Sequence, residues 1–229
     1  MTVGWKSRHL IVIVVAAIGT YVFLLSRQDW SEMHRWNRAV GDTSLVLIAA
    51  SMAIGPLSRL VPRLRAAVPW RRELGIYGVF LSLVHATIIL LGWVDLDLWR
   101  LIGYEVHPAT GQYVMSQHGF GLANIIGILA LIYAIVLAGT SNNWSQRSLG
   151  TSVWKFVQQG SYVLWILIVV HTGYFLYLHF QHFHVQSPEP NWAQWPFVVL
   201  ILAVVALQLV GMMKTWRVKI RGRIMTSSS

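Results

Sequence analysis

Six long apolar stretches constrain the fold of this chain more than any other feature of its sequence. A helix needs roughly 20 apolar residues to cross a bilayer core about 30 Å thick. The stretches that reach or approach this length are residues 9–26, 43–59, 74–93, 119–139, 156–180 and 194–213. They predict an all-α membrane protein, a six-helix transmembrane bundle that forms one domain over residues 1–229. Pro56 is expected to end or kink the second helix, because proline lacks the amide proton that a helix interior uses.

Charged residues are few and unevenly placed. They make up 11% of the chain, against roughly 25% in soluble domains. Counted over alternate loops, fourteen Lys and Arg side chains fall at one end of the predicted bundle, and the other end has Arg27, Arg35, Arg38 and Arg100. The positive-inside rule places the larger group in the cytoplasm. This predicts two cytoplasmic termini and a multi-pass protein surrounded by lipid in the bacterial inner membrane. The net charge of +10 follows from this topology and does not indicate nucleic-acid binding.

Nine histidines are unusual in so apolar a chain, and an ionisable side chain within a membrane span indicates a functional site. His85 lies in the third span and His171 in the fifth. Both helices run outward on the predicted topology, so the two side chains lie at similar depth, at or slightly beyond the midplane. Paired imidazoles at matched depth suit the axial ligation of a haem. A proton relay and buried structural histidines are the alternatives.

Further histidines gather near the outer ends of the fourth and fifth spans. They are His118, His179, His182 and His184, and imidazole suits copper, zinc and iron. An external metal site is one interpretation of this group, and a polar interfacial cluster without a ligand is the other. The chain has no cysteine, which excludes disulfides, thiolate catalysis and cysteine-ligated metal centres.

Several short motifs occur in an order that is typical of a known family. The motifs are GDTSL at 41–45, GPL at 55–57, RRELG at 71–75, TS at 140–141 and RSLG at 147–150. In their order and spacing, over about residues 40–180, the chain resembles the ferric-reductase-like transmembrane domain family. The resemblance implies a membrane protein that carries electrons through haem.

The resemblance also assigns roles to particular residues. It implies that haem b is held by His85 and His171, which occupy the positions of the family's ligating histidines. Relatives carry a further histidine nearer the cytoplasmic end of the fifth span, where this chain has Gln158. Because glutamine is a poor haem ligand, we expect one haem and not two.

Electrons are expected to enter from a separate donor. Larger relatives carry a flavin and nicotinamide domain, and this chain shows no Gly-x-Gly-x-x-Gly fingerprint. A membrane quinol or a separate flavin reductase is the expected donor, and a periplasmic redox partner protein the expected acceptor. A quinone or FMN is a further candidate cofactor, since the arginine-rich loop 59–72 could bind a phosphate, although topology alone explains that loop. The expected docking surfaces are the outer loop 94–118 and the segment 178–185.

Three other functions remain open at this point. A ferric or cupric reductase would act at the external histidines. A transporter would use His85 and His171 as a proton relay without haem, and an anchoring subunit would carry out no chemistry. Many transporters contain internal repeats, and the sequence reveals none. A b-type pigment in the purified protein would exclude the relay and the anchor.

Overall fold

The computed structural model describes residues 4–179 and 191–227 and is mainly helical. The helices are α1 (Trp5–Leu25), α2 (Glu32–Leu60), α3 (Trp70–Ile88), the short α4 (Leu98–Leu101), α5 (His118–Thr140), α6 (Asn143–Gly173) and α7 (Gln194–Ser227). A π-helical turn extends α3 over Ile89–Trp93, and another extends α6 over Tyr174–Leu178. The 3₁₀ segment Pro62–Ala67 joins α2 to α3. Strands β1 (Tyr104–Val106) and β2 (Tyr113–Met115) form an antiparallel hairpin between α4 and α5.

Six helices in the described residues are long and apolar enough to cross a membrane, which confirms the predicted transmembrane bundle. Two of them, α2 and α6, start more than ten residues earlier than predicted. Helix α2 begins at Glu32. A search for apolar stretches misses its first turns because they carry polar side chains, such as Asn37, that the protein itself buries. Helix α6 begins at Asn143 and breaks at Gly150, whose φ of 74° separates a short helical segment from the long span.

The spans alternate in direction, so the bundle has two ends. The hairpin end carries the residues between α3 and α5, including the two strands. The basic end carries the Pro62–Ala67 segment, which contains two arginines, and the connection from α5 to α6. An ion pair ties helices together at each end: Arg27 with Asp42 at the hairpin end, and Arg8 with Glu73 at the basic end.

Helix α2 is the central helix and contacts α1, α3 and α7. One buried cluster joins it to α6 and α7, with Leu45 and Phe197 among its members. Helix α3 approaches α2 closely, because Gly78 presents no side chain to Ile48. Ser44 strengthens this contact by donating a hydrogen bond to the Gly78 carbonyl at 2.7 Å. The outward faces of the spans are apolar and exposed, as contact with lipid requires.

Pro56 does not end α2, which continues to Leu60, so the first of the two predicted outcomes, a helix end, is wrong. A proline removes the amide that would bind the carbonyl one turn earlier, here that of Met52. The side-chain amide of Gln208 on α7 donates to this carbonyl at 2.9 Å. Gly211, on the same helix, lies against the Pro56 ring. Helix α7 thus supplies the hydrogen bond that proline removes, which a span in lipid needs.

Replacing Gln208 with Leu should therefore destabilise the protein by about 1 kcal/mol, because the Met52 carbonyl loses its side-chain donor within the membrane. The same change should cost much less in a Pro56→Ala background, where the backbone amide can bind that carbonyl. Unfolding midpoints of the four proteins in detergent, followed by circular dichroism, measure the difference. Gln208 also accepts a hydrogen bond from Tyr162, but both backgrounds lose that bond equally. Equal destabilisation in both backgrounds would contradict the role assigned to Gln208.

Candidate functional site

His85 and His171 lie opposite each other between two helix pairs, α2–α3 and α5–α6. Their ring centroids are 6.3 Å apart, and the ring planes cross at 87°. About 22 Å of helical rise separates His85 from the start of α3 at Trp70, and about 12 Å separates it from Trp93. The rings thus meet at matched depth, nearer the hairpin end than the basic end.

Each histidine is held by the backbone of a neighbouring helix. Nδ1 of His85 lies 3.1 Å from the carbonyl oxygen of Asn37 on α2, and Nδ1 of His171 lies 2.8 Å from that of Ala123 on α5. A carbonyl oxygen can only accept a hydrogen bond, so Nδ1 carries the proton in both neutral rings. In each ring Nε2 keeps a lone pair that is available to a metal ion.

A glycine makes room for each ring. A Cβ atom on Gly41 would lie 3.0 Å from Nδ1 of His85, and one on Gly127 would lie 2.7 Å from Nδ1 and Cε1 of His171. Each glycine stands one helical turn after the residue whose carbonyl binds the same ring. The histidine therefore fits into a notch in the neighbouring helix, and a larger residue at the notch would displace the ring.

The two halves of the site repeat one another in their geometry, although the sequence reveals no internal repeat. In both halves the bonded carbonyl precedes its histidine by 48 residues, and a π-helical turn follows the histidine. Two turns beyond the histidines, the rings of Trp93 and His179 also meet, with centroids 6.2 Å apart. The sequence hides the repeat because few residues besides the glycine and the histidine of each half are identical at matching positions.

A cavity of about 420 Å³ lies between the two helix pairs, and both histidines line it. Its volume is within the roughly 300–1,000 Å³ of small-molecule and cofactor sites. Toward the basic end its walls are mainly apolar, and they include Ile48, Ala130, Ala134, Leu164 and Ile168. Toward the hairpin end they include the polar residues His34, Asn37, Arg38, Asp42 and Asn124. The Nε2 lone pairs of His85 and His171 could hold one metal ion in such a cavity, and the apolar walls would limit access of water.

The predicted external metal site is not assembled in the part of the chain that the structure describes. His118 is exposed at the start of α5, whereas His179 is 5% exposed and packs among aromatic rings. No group of three metal-binding side chains occurs in residues 4–179 and 191–227. His182 and His184 lie outside the described residues, so the external site stays a prediction.

Gln158 lies near the basic end and is engaged with the end of α5. Its Nε2 donates a hydrogen bond to Oγ1 of Thr140 at 2.9 Å, and its Oε1 accepts one from Oγ of Ser141 at 3.4 Å. The side chain thus joins α6 to α5. The side-chain amide of Gln158 therefore stabilises the packing of α6 against α5.

Sequence reasoning missed the groups that hold the two histidines. The carbonyls of Asn37 and Ala123 carry no sequence signal, because every residue has one. Arg38 counts in the sequence only as a topology charge, although it lines the cavity. A glycine within an apolar span, such as Gly127, is the signal that could have indicated a close approach.

The fold and the site define a class: a helical membrane protein with two histidines facing one cavity between two repeated helix pairs. Residues 39–169, more than half of the chain, match the family described as Ferric reductase like transmembrane component. The chain belongs to that family.

Curated relatives match a similar part of the chain. The protein-methionine-sulfoxide reductase heme-binding subunit MsrQ of Ralstonia nicotianae is 29% identical over 134 residues, which cover 58% of this chain and 55% of that protein. MsrQ of Bordetella parapertussis is 28% identical over 134 residues, 58% of either chain. Magnetosome protein MamZ of Magnetospirillum gryphiswaldense is 26% identical over 135 residues, 59% of this chain and 19% of that protein. The chain thus spans a little over half the length of the MsrQ relatives that it matches.

The hairpin end carries a polar contact outside the spans. The Tyr113 hydroxyl donates a hydrogen bond to Oδ2 of Asp97 at 2.7 Å, and Oδ1 accepts from the backbone amides of Trp99 and Arg100. The Tyr113 bond is the main cause that lowers the pKa of Asp97, and the two amides lower it further, because these bonds favour the charged carboxylate. The hairpin is thereby linked to the first turn of α4.

Replacing Tyr113 with Phe should raise the pKa of Asp97 toward its usual value. In the original chain the link persists above the usual carboxyl pKa and is lost as the pH falls through the lowered pKa of Asp97. In the variant the Tyr113 bond is absent, so the carboxyl group of Asp97 should take up its proton at a higher pH. Carboxyl ¹³C NMR titration of the protein in micelles measures both values. Tyr104→Phe, a change beside Trp99, is the control, and an Asp97 pKa that is unchanged in Tyr113→Phe would contradict the assignment.

Proposed function

We propose that the chain holds one haem b between His85 and His171 and acts as an electron-transfer subunit of the bacterial inner membrane. It receives electrons from a quinol or a separate flavin reductase and passes them to a periplasmic acceptor enzyme. A bound haem supplies a one-electron couple within the membrane. The protein itself would supply the two histidines that hold the haem, their orientation and a largely apolar enclosure.

The separation of the two imidazole rings carries this proposal. An imidazole nitrogen binds a metal ion at about 2.0 Å, so two rings on opposite sides of one ion have centres roughly 6 Å apart. The ring centroids of His85 and His171 lie 6.3 Å apart in the structure, and Nδ1 of each ring is already bonded to a carbonyl. Nε2 is therefore the nitrogen that each ring can offer to the iron.

The surroundings of the rings fit an axial ligand pair. Hydrogen bonds from Nδ1 to the carbonyls of Asn37 and Ala123 fix the tautomer and the ring orientation, and they raise the basicity of Nε2. The notches at Gly41 and Gly127 set the depth of each ring on its neighbouring helix. The adjacent π-helical turns are a local feature that is frequent at functional sites.

The names of the relatives support the same role. MsrQ is named as the heme-binding subunit of a protein-methionine-sulfoxide reductase, so a redox partner protein is the expected acceptor for this chain as well. The family match spans residues 39–169, so it includes His85 and ends two residues before His171. His171 is therefore assigned from the contacts of its ring.

A histidine relay without haem is the second candidate, because the repeated helix pairs are a feature that many transporters share. The cavity wall includes Asp42, which is the kind of group that a proton relay uses. Asp42 is paired with Arg27, however, and both Nδ1 atoms are bonded to carbonyl oxygens that cannot accept a proton. These contacts favour ligation of a metal over proton transfer.

Replacing either His85 or His171 with Ala should reduce bound haem from one per chain to nearly none, because the iron loses an axial bond. The measurement is the reduced-minus-oxidised absorption spectrum of the purified protein with its haem-to-protein ratio. His118→Ala, an exposed change at the start of α5, should leave the spectrum unaltered. A colourless original protein from haem-replete cells would contradict the proposed function and favour the relay.

Replacing Gly127 with Ala should weaken haem retention, since the added methyl would lie 2.7 Å from the His171 ring. Overpacking of this kind typically costs about 1–3 kcal/mol, which corresponds to a loss of about 5-fold to 150-fold in affinity. Gly139→Ala on the same helix is the matched control, because nothing lies within 4 Å of its added Cβ. Haem transfer to excess apomyoglobin compares the two variants. Equal rates would show that the notch does not position the ligand.

A quinol should reduce the haem faster than a flavin reductase with NADH. The basic end lies about 22 Å of helical rise from His85, and Gln158 makes its hydrogen bonds to α5 there. A soluble reductase on that side is therefore distant, whereas a quinol can approach within the bilayer. Stopped-flow reduction in liposomes with each donor tests this order. Rapid reduction by the flavin enzyme, with no response to quinol, would contradict this prediction.

A further inference from the structure

We propose that Arg38 binds a propionate carboxylate of the haem, so that the carboxylate edge of the haem faces the hairpin end of the cavity. This inference rests on the proposed function, because it concerns the orientation of a haem held by His85 and His171. It adds a third contact residue and a direction to that site.

Arg38 is a cation in the cavity wall without a matching carboxylate. Its Nη2 donates to the carbonyl oxygen of Phe175 at 3.2 Å, and its guanidinium lies over the Phe175 ring at 5.9 Å. No ion pair of Arg38 occurs in the described part of the chain. The other charged residue of the wall, Asp42, is bound by Arg27 at 2.5 Å. Asp42 interacts electrostatically with Arg38 as well, but its ion pair is with Arg27.

An arginine inside a membrane protein requires a counter-charge, since an unpaired cation there is costly. Guanidinium offers five N–H donors in a planar fork that matches a carboxylate. One backbone carbonyl uses one of these donors. A ligand carboxylate in the cavity would supply the missing charge and accept further hydrogen bonds, which are stronger when both partners are charged.

The polarity of the cavity favours one orientation of the porphyrin. Toward the basic end the walls are formed by side chains such as Ala134, Leu164 and Ile168. The hydroxyls of Ser44 and Ser82, which also line this region, are bonded to each other and to the carbonyl of Gly78. Burying carboxylates there would leave them without a cation, whereas the apolar edge of a haem fits these walls.

The repeated geometry of the two helix pairs also favours propionates at the hairpin end of the cavity. Arg38 directly follows Asn37, whose carbonyl holds His85, and Asn124 directly follows Ala123, whose carbonyl holds His171. Both Arg38 and Asn124 line the cavity. The Asn124 amide donates one hydrogen bond to the Leu101 carbonyl at 2.9 Å, and an amide nitrogen has two protons. The two propionates of haem b share one edge, and the repeat places a polar side chain on either side of that edge.

The test compares protohaem with its dimethyl ester, which keeps the iron and the ring but removes both carboxylate charges. The full-length chain, prepared without haem and reconstituted in lipid nanodiscs, is titrated with each and followed by its absorption spectrum. The original protein should bind the ester roughly tenfold or more weakly than protohaem. Arg38→Gln should bind both with nearly equal affinity, and Arg38→Lys should retain part of the difference.

Arg35→Gln is the matched control. It removes the same charge from the same end of α2, but Arg35 does not line the cavity. This variant should discriminate between the two haems as the original protein does. Discrimination that survives in Arg38→Gln, or that is lost equally in Arg35→Gln, would overturn the proposal. So would equal binding of both haems by the original protein, a result that needs no variant to fold. Failure of the original protein to bind either haem would instead overturn the proposed function itself.

Discussion

Backbone carbonyls inside a membrane protein must find their hydrogen-bond donors within the protein, and this constraint organises the whole chain. A carbonyl oxygen has two lone pairs, so one can serve its own helix while the other accepts a side chain. The carbonyls of Asn37 and Ala123 receive histidines in this way, which joins α2 to α3 and α5 to α6. The Met52 carbonyl, deprived of its helical partner by Pro56, receives Gln208 and joins α2 to α7. The helix contacts that shape the cavity thus depend on donors sent across from neighbouring helices.

The spans could be predicted from the sequence because the demand of lipid for apolar side chains acts on each stretch separately. The early start of α2 could not, since the polar residues of its first turns are buried by other parts of the chain. The helix end predicted at Pro56 failed for a similar reason. Local chemistry predicts a helix end, and only the distant Gln208 explains why the helix continues. Errors of this kind arise wherever a tertiary partner compensates a local defect.

The histidine pair could be predicted because two ionisable groups at equal depth in a membrane have few explanations. What holds them could not, because backbone carbonyls are present at every position and carry no signal. Gly41 and Gly127 can be read from the sequence, but a glycine in an apolar span does not by itself show which residue approaches it. The repeated geometry also escaped the sequence, since it resides in contacts between helices and not in recurring residue types. The clustering of the outer histidines remains a prediction for His182 and His184.

The hairpin end is built as a rigid extension of α5. A Cβ atom on Gly121 would lie 2.0 Å from the carbonyl oxygen of Ile102, so the backbone beside α4 rests directly on the first turn of the helix. Asn124 fastens the same segment through the Leu101 carbonyl, and Ala123, which holds His171, lies between these two anchor points. A molecule that docks on the hairpin therefore meets a preorganised surface and loses little conformational entropy there on association. The same contacts set the position of that surface relative to the His171 ring.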